Sequence, residues 1–280
     1  MSPEEPIIPV SVHFRTNDAD VVVRAAGTLD FYVHKCILSL ASPIFKDMFT
    51  IPQPPSTTPN TLPLVDVQES AKTWENILRI VYHRPNPTIG CLDDLQSLLL
   101  AAKKYEMKFI INAHKKVFER RAFIRQDPLR LYAIACVCGI DDQAKYVART
   151  ADLLTVVGTT ENEGLALLTS TFHHRLITFL FARDNELHPI LEESWTSFTS
   201  CCKCTPGDYH GEDVYERTKE KLKMPDIRME EVYLLALEDR STYYRKACSS
   251  NKCSVMATEI KRFLERMFQE RERVCDKFMW

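Results

Sequence analysis

Two groups of cysteines in the last third of the chain have the residue type of a metal site. Thiolates are preferred ligands of structural zinc, which takes four ligands in a tetrahedral arrangement. One group opens a polar segment and the other lies between two predicted helices; together they comprise Cys201, Cys202, Cys204, Cys248 and Cys253. Their spacing is not that of paired Cys-x-x-Cys knuckles, and His173 or His210 could replace one thiol. The two groups predict a structural zinc site if the fold brings them together.

Chance grouping of reduced thiols and redox or disulfide chemistry are the alternatives to zinc. Cysteines of an intracellular protein are mostly reduced, and they are buried as small hydrophobic residues or bound to metal. Five further cysteines lie among apolar neighbours or on a predicted helix, and we expect them to be packing residues: Cys36, Cys91, Cys136, Cys138 and Cys275.

The sequence patterns of common catalytic sites are absent. The chain has no glycine-rich phosphate loop, no Gly-x-Ser-x-Gly elbow and no His-Glu-x-x-His zinc helix. Carboxylates occur in adjacent pairs such as Asp93-Asp94 and Asp141-Asp142, and adjacent positions on a helix do not face each other. We therefore expect no catalytic residues and no cofactor other than the structural zinc. A zinc- or cysteine-dependent enzyme is kept as an alternative, because a Cys–His pair can meet in space without a local pattern.

Composition and charge are those of an ordinary globular protein. Hydrophobic residues make up 45% and charged residues 26% of the chain, and the formal net charge is −2. Non-specific nucleic-acid binding needs a surplus of cations, so we expect no direct nucleic-acid partner. The N-terminus lacks the features of a signal peptide, and the longest apolar runs are far shorter than the roughly 20 residues of a membrane span. We expect no membrane partner and an intracellular location, with nucleus and cytoplasm both open.

The N-terminal part is predicted to contain three or four strands. The β-branched run that ends at Gly27 is followed closely by Phe31-Tyr32-Val33, which is typical of a hairpin. Residues 7–14 predict an additional strand, confined by Pro9 to an edge or a strand start. Residues 62–67 alternate as a further strand.

From His34 onward the apolar period becomes helical. Because Pro43 breaks a helix interior but is tolerated in a first turn, the sequence predicts two short helices, with Ser42 as the N-cap of the second. Further helices are predicted over about 71–81, 92–102 and 109–120. Strands clustered early and helices afterwards indicate an α+β fold.

Beyond residue 125 the sequence predicts helices only. Asp127 followed by Pro128 is typical of a helix start, Gly139 of its end, and Asp141 of the next start. Residues 202–213 are polar and turn-rich, which is typical of a linker.

One residue string closely resembles the signature of the BTB/POZ domain family over roughly residues 15–120. It reads Asp18-Ala19-Asp20-Val21-Val22-Val23, then His34-x3-Leu38-x3-Ser42-Pro43-x-Phe45-x2-Met48-Phe49. The resemblance implies a small sheet flanked by helices, with dimerisation or partner binding and no catalysis. The candidate fold and dimer residues are Asp20, His34, Leu38, Ser42, Pro43, Phe45, Met48 and Phe49. The proline-rich loop after Phe49 and the string 127–135 look like fungal (basidiomycete-type) BTB proteins with a helical C-terminal region.

Elementary chemistry suggests roles for several signature residues. Asp20 precedes a strand, where its carboxylate is expected to accept backbone hydrogen bonds from the following turn. His34 lies between strand and helix, and we expect a satisfied, partly buried histidine that ties these elements together. Phe45, Met48 and Phe49 are expected to be core or dimer contacts, because an aromatic side chain buries roughly 150–250 Å².

Family members that recruit cullin-type ubiquitin ligases commonly carry a hydrophobic-x-acidic motif after the Met-Phe pair. Here Thr50-Ile51-Pro52-Gln53 contains no acid. The departure disfavours a cullin scaffold as partner, and a substrate adaptor of a cullin-type ubiquitin ligase is the alternative rather than the leading function.

The sequence predicts four regions. They are an N-terminal arm (1–14) that could be exchanged between subunits as a strand, a BTB/POZ-like domain (15–122), a helical region (123–200), and a polar loop with C-terminal helices and the cysteine groups (201–280). The predicted function is a non-enzymatic protein–protein interaction module that homodimerises through the BTB-like domain. The helical region would receive a second, unidentified protein partner.

Overall fold

The computed structural model describes residues 8–51, 62–150, 163–199, 262, 265–266, 268–270 and 272–277. The chain divides into two units. One comprises Met1–Phe118 with Val137–Gly139, and the other comprises Glu119–Cys136 with Ile140–Trp280.

Four strands form one mixed sheet in the first unit. They are β1 (Val10–Arg15), β2 (Val21–Ala25), β3 (Leu29–Val33) and β4 (Leu64–Val67), in the order β1-β3-β2-β4. The hairpin β2–β3 is antiparallel, whereas β1 pairs with β3 and β4 pairs with β2 in parallel. Ala26 and Gly27 have positive φ angles of 44° and 66°, which the tight hairpin turn requires. The predicted hairpin and edge strand are confirmed.

Helices follow the strands in the first unit. They are α1 (Lys35–Ala41), α2 (Pro43–Thr50), α3 (Ala71–Val81), α4 (Leu92–Lys104), α5 (Lys108–Ala113) and a 3₁₀ helix (Lys115–Glu119). The sequence predicted one helix over 109–120, and that prediction was wrong in one respect. The ring Nδ1 of His114 lies 2.8 Å from the Ile110 carbonyl oxygen, and the His114 amide donates to Ile111 instead. The side chain thus takes the acceptor that would have continued the α-helix.

Aromatic rings form the centre of the first unit. Phe45, Trp74 and Tyr105 lie with ring centroids 5.1–5.6 Å apart in edge or tilted contacts. A second group joins β1 to the rest, since Phe14 contacts Phe31 at 6.1 Å. Buried residues from α3 and α4 fill the space between sheet and helices; they include Ile77, Leu78, Leu95, Leu98 and Leu99.

The described residues of the second unit are helical, as the sequence predicted. The helices are α6 (Arg121–Gln126), α7 (Pro128–Cys138), α8 (Asp141–Thr150), α9 (Glu163–Leu167) and α10 (Ser170–Thr199). The Arg130 amide donates to Asp127 Oδ1 at 2.9 Å, so Asp127 caps α7. Gly139 ends that helix with φ +68°.

A helical turn at residues 272–277 is tied to α8 and α10 by ion pairs. Arg149 Nη1 lies 3.0 Å from Glu272 Oε2, and Arg149 also pairs with Asp276. Lys277 Nζ lies 2.5 Å from Glu186 Oε1. In the part of the chain that the structure describes, no helix has the length and apolar character that crossing a bilayer requires.

Candidate functional site

Asp20 joins the hairpin to α1. Its Oδ1 accepts the Lys35 amide at 2.7 Å. The sequence predicted a donor in the turn that follows Asp20, and this was wrong: the donor is the first residue of α1. The hairpin determines this choice of donor. Antiparallel pairing places Asp20 beside Val33, two residues before Lys35, and the Asp20 amide donates to the Val33 carbonyl at 3.2 Å.

His34 connects three elements. The sequence predicted a partly buried histidine with its hydrogen bonds satisfied, and the contacts agree with that prediction. Its amide donates to Tyr82 Oη at 2.9 Å, and its ring Nδ1 lies 3.0 Å from the same oxygen. Its Nε2 lies 3.3 Å from Asp18 Oδ2 in the β1–β2 connection. Burial raises the pKa of Tyr82, so its hydroxyl stays protonated and can donate. The contacts are those of a structural tie between strand, turn and α3.

Ser42 caps α2 and reaches a second element. Its Oγ accepts the Phe45 amide at 3.2 Å and donates to the Tyr105 carbonyl at 2.6 Å. Pro43 occupies the first turn of α2, where its missing amide costs nothing. The predicted break between two short helices is confirmed.

The other signature residues divide between the interior and the boundary. Leu38 and Phe45 are buried, whereas Met48 and Phe49 are half-buried. Lys35 Nζ lies 5.9 Å from the centre of the Phe49 ring. Most signature residues thus lie in α1, in α2 or at the junction between them, which we call the α1–α2 corner.

Glu69 is a site residue that sequence reasoning missed. It accepts hydrogen bonds from Lys104 Nζ at 2.7 Å, Tyr105 Oη at 2.9 Å and Trp74 Nε1 at 3.4 Å. Burial acts to raise the pKa of this carboxyl, but the hydrogen bonds from Lys104 and Tyr105 outweigh it and lower the pKa. Two of the donors are 35 and 36 residues away in sequence, so no local pattern could have pointed to the cluster.

An exposed depression lies on the outer side of α1 and α2. We call it the α1–α2 face; it is lined by Cys36, Ser39, Leu40, Pro43 and Lys46. Leu40 is 90% exposed and Ile44, four residues later, is 40% exposed, so two large aliphatic side chains on α1 and α2 are in contact with solvent.

The cysteines differ from the packing prediction at one position. Cys136 and Cys275 are buried, and Cys91 and Cys138 are half-buried, but Cys36 is exposed. The helical period explains the exposure of Cys36. Residues two apart lie on nearly opposite sides of a helix, so Cys36 points away from the core when Leu38 is buried.

The buried thiols are poor nucleophiles. Burial raises the pKa of Cys136 and of Cys138 to about 11, so both are protonated at neutral pH. The five predicted zinc ligands (Cys201, Cys202, Cys204, Cys248 and Cys253) lie outside the described residues. Within the described ranges, no three His, Cys, Asp or Glu side chains form a group that could hold a metal ion.

Comparison with known proteins finds a family match for one part of the chain. The BTB/POZ domain family matches residues 13–121. Among solved structures, the chain is similar to the BTB domain of zebrafish PATZ1, with 23% sequence identity and a TM-score of 0.28, over 36% of this chain and 75% of that one. Comparison with the sequences of curated proteins found no match. With a four-stranded mixed sheet flanked by helices and the signature residues at the α1–α2 corner, residues 13–121 form a BTB/POZ domain, which is a protein–protein interaction module.

Proposed function

We propose that this protein is a non-enzymatic scaffold that homodimerises through the α1–α2 face of its BTB/POZ domain. The observation that carries the proposal is Leu40, a large aliphatic side chain 90% exposed on the domain that mediates protein contacts. Pro43 and Cys36 extend the apolar surface around it, and Lys46 lies at its edge.

The energetics of this face favour a second copy of the chain. Removing a leucine side chain from water is worth roughly 1.5–3 kcal/mol. In a twofold dimer the same residue is buried twice, once on each subunit. A pair of such faces therefore contributes about 3 kcal/mol or more from Leu40 alone.

The test is the mass of the full-length protein by light scattering coupled to size exclusion. We expect a dimer at micromolar concentration, and Leu40→Asp should raise the dimer dissociation constant by about two orders of magnitude or more, because two carboxylates would be buried. Leu64→Asp is the matched control, since it makes the same change at a 45% exposed leucine on β4. A strict monomer in the wild type would overturn the proposal.

The N-terminal arm supports dimerisation in a second way. β1 pairs in parallel with β3 of its own chain, and Phe14 packs against Tyr82 and under the Arg84 guanidinium, at 5.6 and 4.7 Å. Strand exchange would reproduce these contacts between subunits, so it would cost little in packing. We propose that the arm can occupy either position.

We propose that the helical region receives a second, unidentified protein partner. The described helices α6–α10 contain no group of metal-ligating side chains, and the thiols of α7 are protonated at neutral pH. Partner binding requires neither a metal site nor a reactive thiol.

A cullin-type ubiquitin ligase is the alternative partner, and the observation that favours it is Ile51. This residue follows α2 and is 60% exposed, at the hydrophobic position of the recruitment motif. Gln53 stands where the motif has an acid. We expect no retention of the wild type in a pull-down with a cullin scaffold, and a measurable gain for Gln53→Glu. Retention of the wild type would make the adaptor function the better one.

A further inference from the structure

The segment from Lys108 to Glu119 has one buried and one exposed side, although it changes from an α-helix to a 3₁₀ helix. The buried side consists of Ile110, Ile111, His114, Val117 and Phe118. Their spacing is that of a continuous amphipathic stripe. The opposite side, which we call the α5 face, therefore runs along the whole segment; its members are Lys108, Phe109, Asn112, Ala113, Lys115, Lys116 and Glu119.

The charges on the α5 face are mostly positive, with three lysines and one glutamate, Glu119. Within the described ranges, Lys108, Lys115 and Lys116 have no carboxylate oxygen within 4.0 Å. Other lysines of the same domain do have partners, since Lys72 pairs with Asp94 and Lys104 with Glu69. The three ammonium groups outnumber the one carboxylate, so the described face carries a net positive charge.

An exposed aromatic ring lies between these lysines. Phe109 is 42% exposed, and the residues one turn further along, Asn112 and Ala113, are small and also exposed. Phe109 and Lys116 are both exposed, on the side of the segment opposite its buried residues. The ring can therefore be approached from the side, with a cation at either end of the approach.

We infer that the α5 face binds an acidic peptide segment of another protein, with one apolar side chain of that segment seated against Phe109. Carboxylates are the complement of the three lysines, and an aromatic surrounded by small residues accommodates an apolar anchor. Nucleic acid fits less well, because strand-tracking sites combine several aromatic rings with a longer run of cations. The inference goes beyond homodimerisation, since it uses different helices from the α1–α2 face.

The first test is selection of a random peptide library displayed on phage against the full-length protein. We expect the enriched peptides to carry net negative charge and at least one large apolar residue. Enrichment of neutral or basic peptides, or no enrichment, would overturn the inference.

The second test measures binding of the most enriched peptide, labelled with fluorescein, by fluorescence anisotropy. Lys116→Glu should weaken binding at least tenfold, whereas the matched charge reversal Lys145→Glu on α8 should change it less than twofold. Raising NaCl from about 50 to 500 mM should also weaken binding about tenfold, because the screening length falls from above ~10 Å to a few ångströms. Equal binding by the two charge-reversal variants would contradict the assigned face.

Two further variants separate the apolar contact from the charges, and peptide binding from homodimerisation. Phe109→Ser keeps every charge and should weaken peptide binding at least fivefold. An unchanged circular dichroism spectrum would show that this variant is folded. Leu40→Asp should bind the peptide as the wild type does, so a failure of homodimerisation leaves this result intact. Tighter binding of single-stranded oligouridine than of the peptide would identify a nucleic-acid site and overturn the inference.

Discussion

At the residue scale, the BTB/POZ domain depends on polar side chains that each bridge distant elements. His34 links a strand, a turn and α3 through Tyr82 and Asp18, and Ser42 links two helices. Glu69 has the largest set of such contacts, because one carboxylate accepts from α3 and from the end of α4. A buried polar group that loses its partner destabilises the folded state. We therefore expect substitutions of these residues to lower the free energy of unfolding.

Glu69→Gln should destabilise the domain by about 1–2 kcal/mol at pH 7, because hydrogen bonds to a charged acceptor are the strongest of their kind. The folded pKa of Glu69 lies below its ordinary value of 4.5. Its contribution is therefore present above that value and is lost as pH falls through the folded pKa. Urea unfolding at pH 7 and below pH 4 should show a difference between variant and wild type that shrinks in acid.

The control for that prediction is Glu106→Gln, which removes the charge of an exposed glutamate at the end of α4. It should change the free energy of unfolding by less than about 0.5 kcal/mol. A Glu69→Gln effect no larger than the control, or one that grows in acid, would contradict the assigned role.

At the scale of elements, two helix ends hold a residue other than glycine in the strained left-handed conformation, as the hairpin turn does at Ala26. The helices α3 and α4 both end in a Schellman motif, in which the Arg84 amide bonds to Arg79 and the Met107 amide to Ala102. The residue in the left-handed conformation is His83 with φ 50° in one case and Glu106 with φ 55° in the other. Glycine is the usual residue at this position, because a Cβ is disfavoured there.

Glu106→Gly and His83→Gly should therefore each stabilise the domain by about 0.5–1 kcal/mol, the relief of left-handed strain exceeding the entropy that glycine loses on folding. Ser97→Gly, at an exposed position inside α4, is the control and should destabilise by about 0.5 kcal/mol. Thermal unfolding measures all three. A loss of stability in both end variants would show that the side chains make contacts worth more than the strain.

At the scale of the whole molecule, two units with different contents share one chain. The first has the BTB/POZ sheet and both candidate interaction faces, and the described part of the second is helical. A module that self-associates places two copies of everything attached to it side by side, which raises the effective concentration for any second partner. The proposed scaffold function would use this effect.

The C-terminal cysteines give a prediction at this scale. If Cys204 and Cys253 hold zinc, the purified protein should contain about one zinc per chain, and Cys204→Ser or Cys253→Ser should lose the metal and lower the melting temperature, because metal binding is coupled to folding. Metal analysis by mass spectrometry and thermal unfolding are the measurements, and Cys36→Ser is the control. No stoichiometric zinc, with both variants melting as the wild type does, would exclude the site.

The sequence by itself determined the fold class, the break between α1 and α2, and the caps at Ser42 and Asp127. Each of these depends on residues within one or two turns of each other, where periodicity, proline and capping chemistry act directly. The family signature was likewise readable because it is a contiguous string.

Only the tertiary structure decided which distant residues meet. Tyr82 lies 48 residues from His34, and the partners of Glu69 come from two other elements. It also decided that His114 ends α5 by taking a carbonyl, that Cys36 is exposed, and that Leu40 is not covered by the part of the chain that the structure describes. The reason is physical: periodicity shows that a helix has an apolar side, but long-range packing alone selects which apolar residues find a partner within the chain and which are left for another molecule.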